Sequence, residues 1–175
     1  MLKTLLTVAV LLIAGVLVYA ATRPDSFAIQ RSARIAAPAE RLFALINDVQ
    51  AFNTWNPFAL KDPAIRLHYE GVPAGPGAAY TWEGEKVGSG RLEITEATPA
   101  SRVAMQLAFE KPMKATNRIE FTLQPDGAAT RVTWAMTGPM PYLSKLMTTF
   151  FSMEKMVGPD FEAGLANLKA AAERL

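Results

Sequence analysis

From Ile65 to Thr137 apolar and polar residues alternate with few interruptions, and a period of two commits this stretch to a run of half-buried strands. Ile65, Leu67 and Tyr69 alternate with Arg66, His68 and Glu70, and a turn-rich loop follows from Pro73 to Gly77. Tyr80 and Trp82 share a face, Gly84-Glu85 suits a hairpin turn, and Leu92 and Ile94 line the returning strand. Val103, Met105, Leu107 and Phe109 oppose Arg102, Ala104, Gln106 and Ala108. Ile119, Phe121 and Leu123 oppose Arg118, Glu120 and Thr122, and Pro125-Asp126-Gly127 makes a tight turn. Val132, Trp134 and Met136 complete the last strand. Consecutive strands on short turns form an antiparallel meander, which leaves one apolar face to be covered.

Only one segment is long enough to cover it. On a helical wheel, Tyr142 to Leu175 places Leu143, Leu146, Met147, Phe150, Val157, Phe161, Leu165, Leu168 and Ala172 on one stripe. Pro159 after Gly158 removes a backbone donor and is expected to kink or split this helix. Met147 and Phe150 then line the half before the kink, while Gly164 allows close approach to the sheet beyond it. Glu154 falls near the middle of the stripe, and an inward carboxylate is costly unless paired.

Ahead of the meander, Phe27, Ile29, Ala33 and Ile35 alternate as a strand, with Arg31 the one charge on its apolar side. Pro38 suits a first helical turn, and Leu42, Phe43, Leu45 and Ile46 give that helix an apolar face to about Asn47. Asp48 can cap a second short helix ending near Asn53, which Trp55-Asn56-Pro57 breaks. The order is strand, two short helices, about six strands and one long helix: an α+β architecture of sheet on helix.

At the other end, residues 4–22 between Lys3 and Arg23 carry no charge. As a helix they reach about 28 Å, close to the roughly 30 Å of bilayer hydrocarbon. We read them as an uncleaved single-pass anchor, against a cleaved signal peptide ending after Ala20 in Val18-Tyr19-Ala20. Residues 1–25 are thus anchor and linker, and 26–175 the folded domain. Lys3 and the terminal amine ahead of the segment put the amino terminus inside and the domain on the non-cytoplasmic side, although Arg23, Arg31 and Arg34 follow it.

Charge and residue types exclude several functions. Of 18 basic residues, Lys3 and Arg23 precede residue 25, so residues 25–175 hold as many basic as acidic side chains, 16 of each. Its basic residues are dispersed without interleaved aromatics, which argues against a nucleic-acid partner. The chain has no cysteine and one histidine, His68, which alternation turns away from the apolar face. Neither a Ser-His-Asp nucleophile nor a metal centre has the material here, and no cofactor is implied. Gly88-Ser89-Gly90 lacks the lysine and helix of a phosphate loop, and reads instead as a strand thinned for close approach.

The order of elements resembles the helix-grip fold of the START-like (SRPBCC) superfamily, a curved sheet of about seven strands around a long C-terminal helix. Arg31 to Glu40 and Phe52-Asn53-Thr54-Trp55-Asn56-Pro57-Phe58 resemble the opening of its polyketide cyclase/dehydrase-like branch. Tyr80-Thr81-Trp82-Glu83-Gly84 with Val87-Gly88-Ser89-Gly90 is similar to the central hairpin of that branch. Val132-Thr133-Trp134, Met153-Glu154-Lys155-Met156 and Phe161-Glu162-Ala163-Gly164-Leu165 are similar to its last strand and helix. Phe52, where many relatives carry Trp, and Pro159, in a helix usually continuous, depart from the pattern. The resemblance implies an apolar cavity between sheet and helix, used in the superfamily for lipids, sterols, polyketides and quinones, with or without catalysis.

On this reading Tyr69, Tyr80, Trp82, Asn117, Trp134, Met147, Phe150 and Glu154 are the candidate ligand-binding residues. Glu154 is also the catalytic candidate, as a partly desolvated carboxyl with a raised pKa. The plainer alternative pairs it with an inward base such as Arg31. The expected function is a membrane-tethered binder or carrier of one small hydrophobic ligand. The alternatives are a cyclase or dehydratase using Glu154, and an interaction module whose interior is only core.

Overall fold

A computed structural model describes residues 1–149 and 151–174. Its elements are α1 (Leu2–Ala21), β1 (Ser26–Ile35), α2 (Ala39–Asn47), α3 (Val49–Asn53), α4 (Pro57–Lys61), β2 (Arg66–Glu70) and β3 (Ala79–Gly84). These are followed by β4 (Gly88–Thr98), β5 (Arg102–Lys111), β6 (Ala115–Asp126), β7 (Ala129–Pro139), α5 (Tyr142–Thr148) and α6 (Met153–Glu173). The strands form one curved antiparallel sheet in the order β1-β7-β6-β5-β4-β3-β2, the helix-grip arrangement with α6 laid across it. β1 closes the sheet by pairing with the last strand, from Ser26 opposite Pro139 to Ile35 opposite Thr130. Register shifts at Ser89/Gly90 and Ile94/Glu96 interrupt the β4–β5 ladder, and such bulges bend a strand.

The short helices carry the chain from one sheet edge to the other. Leu42 and Ile46 bury one face of α2, and the Asp48 carboxylate accepts the Gln50 and Ala51 N–H groups at 2.8 and 2.9 Å to start α3. Beyond it lies α4, which the sequence reading treats only as a break. Pro57 has both effects: it ends what precedes it and, with no donor to lose, occupies the first position of a new helix. Asn56 caps that helix through Oδ1, which accepts the Phe58 N–H at 3.2 Å. Asn167 on α6 donates to the Trp55 carbonyl at 3.1 Å and ties this corner to the long helix.

The C-terminal segment departs from expectation. Helix α5 ends at Thr148, α6 begins at Met153, and Pro159 lies inside α6. The hydroxyls of Thr148 and Thr149 both donate to the Lys145 carbonyl, at 3.1 and 2.9 Å, competing with the helical ladder where α5 ends. Pro159 and Lys155, whose carbonyl loses its usual donor, are both exposed, so water replaces that bond. Leu143 and Met147 therefore do not face the sheet; α5 packs on α1 instead.

Two glycines set how α6 sits. At Gly158 the Arg31 guanidinium crosses the helix, its Nη1 2.6 Å from Glu154 Oε1 and its Nε 2.7 Å from Glu162 Oε1. The three helical positions are one turn apart on one face, and a Cβ at 158 would lie 2.3 Å from Arg31 Nη2. Both carboxylates are more than half exposed, so solvent screens each pair and neither adds much stability alone. Together they fix the height of α6 along β1. At Gly164 the helix backbone touches the core directly, since a Cβ there would lie 2.5 Å from Trp134 Cζ3 and 2.9 Å from Pro57 Cδ.

Alanine gains up to about 1 kcal/mol in helix propensity over glycine, whereas overpacking a core costs about 1–3 kcal/mol. With an indole and a proline ring this close, overpacking wins. Gly164→Ala is expected to lower the urea midpoint of the detergent-solubilised chain; a raised midpoint would mean that α6 is free to lift away.

Candidate ligand cavity

A partly open space of about 350 Å³ lies between the inner face of the sheet, α3–α4 and the first half of α6. At roughly 30 Å³ per liquid water it has room for about a dozen. Leu67, Tyr80, Trp82, Leu92, Leu107, Phe109, Ile119 and Met136 supply the sheet wall. Phe52 and Phe58 close one side, and Val157 and Phe161 of α6 the other. The wall is mainly apolar, with polar groups in two places.

The first lies deep. Asn56 Nδ2 donates to Asn53 Oδ1 at 3.2 Å and to Tyr80 Oη at 3.3 Å, and Asn53 Nδ2 is anchored on the Val49 carbonyl at 3.0 Å. All three side chains are buried and all three line the cavity. Burial drives the Tyr80 phenol well above its ordinary pKa, so it stays protonated and retains a hydrogen to donate. Asn53 and Asn56 are not among the sequence-derived site residues. The available signal was local: an Asn before Pro57 reads as a helix cap, but nothing in the pattern shows that its amide nitrogen turns inward.

The second is at the opening, where Lys61 pairs with Asp160 of α6 and Lys86 stands on the β3–β4 hairpin. Beside it, Asp62 is buried and accepts the Lys86 N–H at 2.9 Å and the Ala64 N–H at 3.2 Å. The Lys86 backbone hydrogen bond, more than any other influence, holds the Asp62 carboxyl below its ordinary pKa of 3.8. This carboxylate pins the hairpin to the loop after α4.

The sequence-derived residues divide. Tyr80 and Trp82 line the cavity. Trp82 lies across its cross-strand partner Gly90, where a Cβ would be 2.4 Å from the indole and 2.3 Å from the Ala108 carbonyl oxygen, so the close approach expected at Gly88-Ser89-Gly90 is made by Trp82 and the backbone of β5. Tyr69 stands behind Tyr80 on edge strand β2, rings 6.1 Å apart, and is 37% exposed. Asn117 is buried but donates to Met136 Sδ at 3.9 Å, so it reaches the cavity only through Met136. Trp134 belongs to packed core, stacked on Phe161 at 4.3 Å and edge-on to Trp55 at 5.9 Å.

The remaining three lie elsewhere. Met147 is exposed on α5, and Phe150 falls outside the described residues. Glu154 is not directed into the cavity: its carboxylate is bound to Arg31 and faces a separate, open groove of about 710 Å³ between the start of β1 and residues 148, 149 and 151–156. The physical reason is Gly158, which draws Arg31, and with it Glu154, to the outer flank of α6. His68 is exposed on β2, as alternation requires, and no cluster of metal-ligating side chains occurs among the described residues.

Comparison with known proteins agrees with this architecture. Residues 26–173 match the model of the family described as polyketide cyclase / dehydrase and lipid transport. No curated protein matches the chain. Among solved structures, one from Thermobifida fusca is 22% identical with a TM-score of 0.62, covering 85% of this chain and 94% of its own. A protein of Chromobacterium violaceum is 16% identical (TM-score 0.60; 87% and 100% covered), and the Aha1 dimer from Colwellia psychrerythraea 17% (0.60; 84% and 96%). At these identities the likeness is one of fold.

The Asp62 pin has a pH signature. A carboxyl whose folded pKa lies below its unfolded value contributes stability that is fully present above the unfolded pKa and lost as pH falls through the folded one. Asp62→Asn is therefore expected to be less stable than the parent at pH 7, and the gap should begin to narrow as pH falls towards 3.8 and go on narrowing below it. Urea midpoints of both chains from pH 7 down to pH 3 check this; a gap of the same size at pH 7 and pH 3 would mean the loss has another cause.

Proposed function

The chain belongs to the polyketide cyclase / dehydrase and lipid transport family, and from that premise we propose that it is a membrane-tethered binder or carrier of a small hydrophobic ligand. Residues 26–175 are the binding domain, and residues 1–25 are the anchor and linker. The observation that carries this reading is the cavity itself: about 350 Å³, mostly apolar, with a few convergent polar groups. That falls within the roughly 300–1,000 Å³ of small-molecule sites. Such a wall suits a compact ring system or a short branched chain. The buried Tyr80 hydroxyl, backed by Asn56, is a fixed donor for one ligand oxygen, as in a quinone, ketone or polyketide carbonyl.

The tether is α1, a 20-residue helix with a mean hydropathy of 2.5 over its most apolar window. Its side chains are almost wholly exposed, with only Ala20 buried, so it is not a core helix of this domain. An apolar helix left bare in this way calls for a lipid surrounding. Lys3 and the terminal amine then stay on the cytoplasmic side, with the domain on the other. A cyclase or dehydratase reading needs a carboxylate inside the cavity. Glu154 is bound to Arg31 outside it, and Asp160 is engaged by Lys61 at the opening. The binding reading needs neither.

The test uses the full chain in detergent with 1,4-naphthoquinone and naphthalene, of like size and differing in the carbonyls. Losing one hydrogen bond costs about 0.5–1.5 kcal/mol, so Tyr80→Phe should weaken naphthoquinone binding by up to about tenfold and leave naphthalene unchanged. Leu107→Trp, which fills the space, should abolish both. If neither compound binds the parent, and native mass spectrometry finds no uptake from lipid or quinone libraries, the cavity is not a ligand site.

A further inference from the structure

Helix α5 carries its amphipathic pattern inside out. Leu143 and Met147, one turn apart, are 59% and 49% exposed. Phe151, whose N–H donates to the Met147 carbonyl at 3.2 Å, extends the stripe by another turn and is 62% exposed. The lysine does the reverse: Lys145 is buried, its Nζ 2.5 Å from Asp25 Oδ1. That pair holds the Asp25 carboxyl below its ordinary range, through its hydrogen bond to Lys145 first. Turning a cation inward and Leu, Met and Phe outward costs free energy if water lies outside. Against hydrocarbon the same orientation is favourable.

What lies outside follows from where α5 is fixed. It packs on α1, and Tyr142 Oη donates to the Leu17 carbonyl at 3.0 Å. Leu17 is four residues from the end of α1, or roughly 6 Å along the axis, so α5 stands level with the last turn of the apolar helix. The flanking groups suit that depth. Tyr19 and Tyr142 are half-exposed aromatics, the type found at the headgroup level. Arg23 and Lys155 are cations with no ion pair among the described residues, as anionic headgroups require. The apolar surface continues to exposed Met156, one helical turn before Asp160 at the cavity opening.

We propose that residues 142–149 and 151–156 lie in the surface of the bilayer that holds α1, with Leu143, Met147 and Phe151 inserted roughly 5–10 Å into the headgroup–acyl boundary. The inference rests on α1 being an anchor. It adds a second, interfacial contact that brings the cavity opening to the lipid.

The chain has no cysteine, so single labels can be placed without further change. Met147→Cys, Phe151→Cys, Val10→Cys and Ala128→Cys are each labelled with nitrobenzoxadiazole on the full chain, reconstituted into phosphatidylcholine–phosphatidylglycerol vesicles. Ala128 lies in the β6–β7 turn, at the end of the sheet opposite Ser26, and serves as the water-exposed control. Labels at 147 and 151 should shift to the blue and lose most of their emission to lipids brominated near the headgroup, with iodide quenching only the label at 128. The label at 10 should respond to lipids brominated deep in the chain. If 10 responds and 147 and 151 are quenched by iodide like 128, the interfacial contact is wrong and the anchor stands. If 10 does not respond, the anchor reading falls, and this inference with it. Labels at 147 and 151 shielded from both iodide and bromolipid, with the unlabelled Phe151→Cys chain forming an intermolecular disulfide under copper–phenanthroline and oxygen, would assign the stripe to a second copy and overturn the proposal.

Discussion

The contact of α6 with the sheet at Gly164 decides where space remains in this domain. At that point the helix backbone rests on Trp134 and Pro57, with no side chain between. One turn earlier Phe161 stacks on the same indole at 4.3 Å. A rigid helix held this close at one point must diverge from a curved sheet elsewhere, and the void opens beside Phe161 and Val157, where nothing large fills it. The aromatic block of Phe52, Trp55, Phe121 and Trp134, each ring 4.8 to 6.2 Å from another, is packed core that meets the cavity through Phe52. Rings in such contact contribute about 0.5–1.5 kcal/mol per pair beyond burial, which resists collapse into the void. The cavity is therefore a by-product of tight packing next to it.

Much of the architecture is written in periodicity. Alternation identifies all seven strands, since one face of each must be apolar and a slip by one residue would expose it. Asp48 announces its helix because a cap needs only a local donor–acceptor match. The expectations that differ from the structure concern relations between elements. Leu143 and Met147 fit the same helical stripe as Leu165, yet they lie beyond a break made by two threonines, and the wheel does not show which surface a stripe meets. Pro159 marks a lost donor, but whether that bends a helix depends on water reaching Lys155, a property of the folded surface.

Within the cavity the division is the same. Tyr80 and Trp82 are legible because strand alternation points them inward. Trp134 points inward equally well and becomes core, since only the depth of α6 over each strand separates wall from core. Glu154 shows the limit most clearly: its place on the apolar stripe is cancelled by Arg31, a residue 123 positions away, reaching over Gly158. Asn53 and Asn56 carry the opposite lesson, for both look like ordinary turn residues until the Tyr80 hydroxyl arrives from the sheet.

Only residues 22–25 separate α1 from β1, at most roughly 14 Å of chain. Even that slack is taken up, because Asp25 is gripped by Lys145 and its carbonyl accepts the Met140 N–H at 2.7 Å. A domain on so short a leash cannot ferry cargo across a gap between two bilayers. With α1 in a membrane its travel would be lateral, and a donor or acceptor of any ligand it carried would have to be met in the same sheet of lipid, by collision in two dimensions.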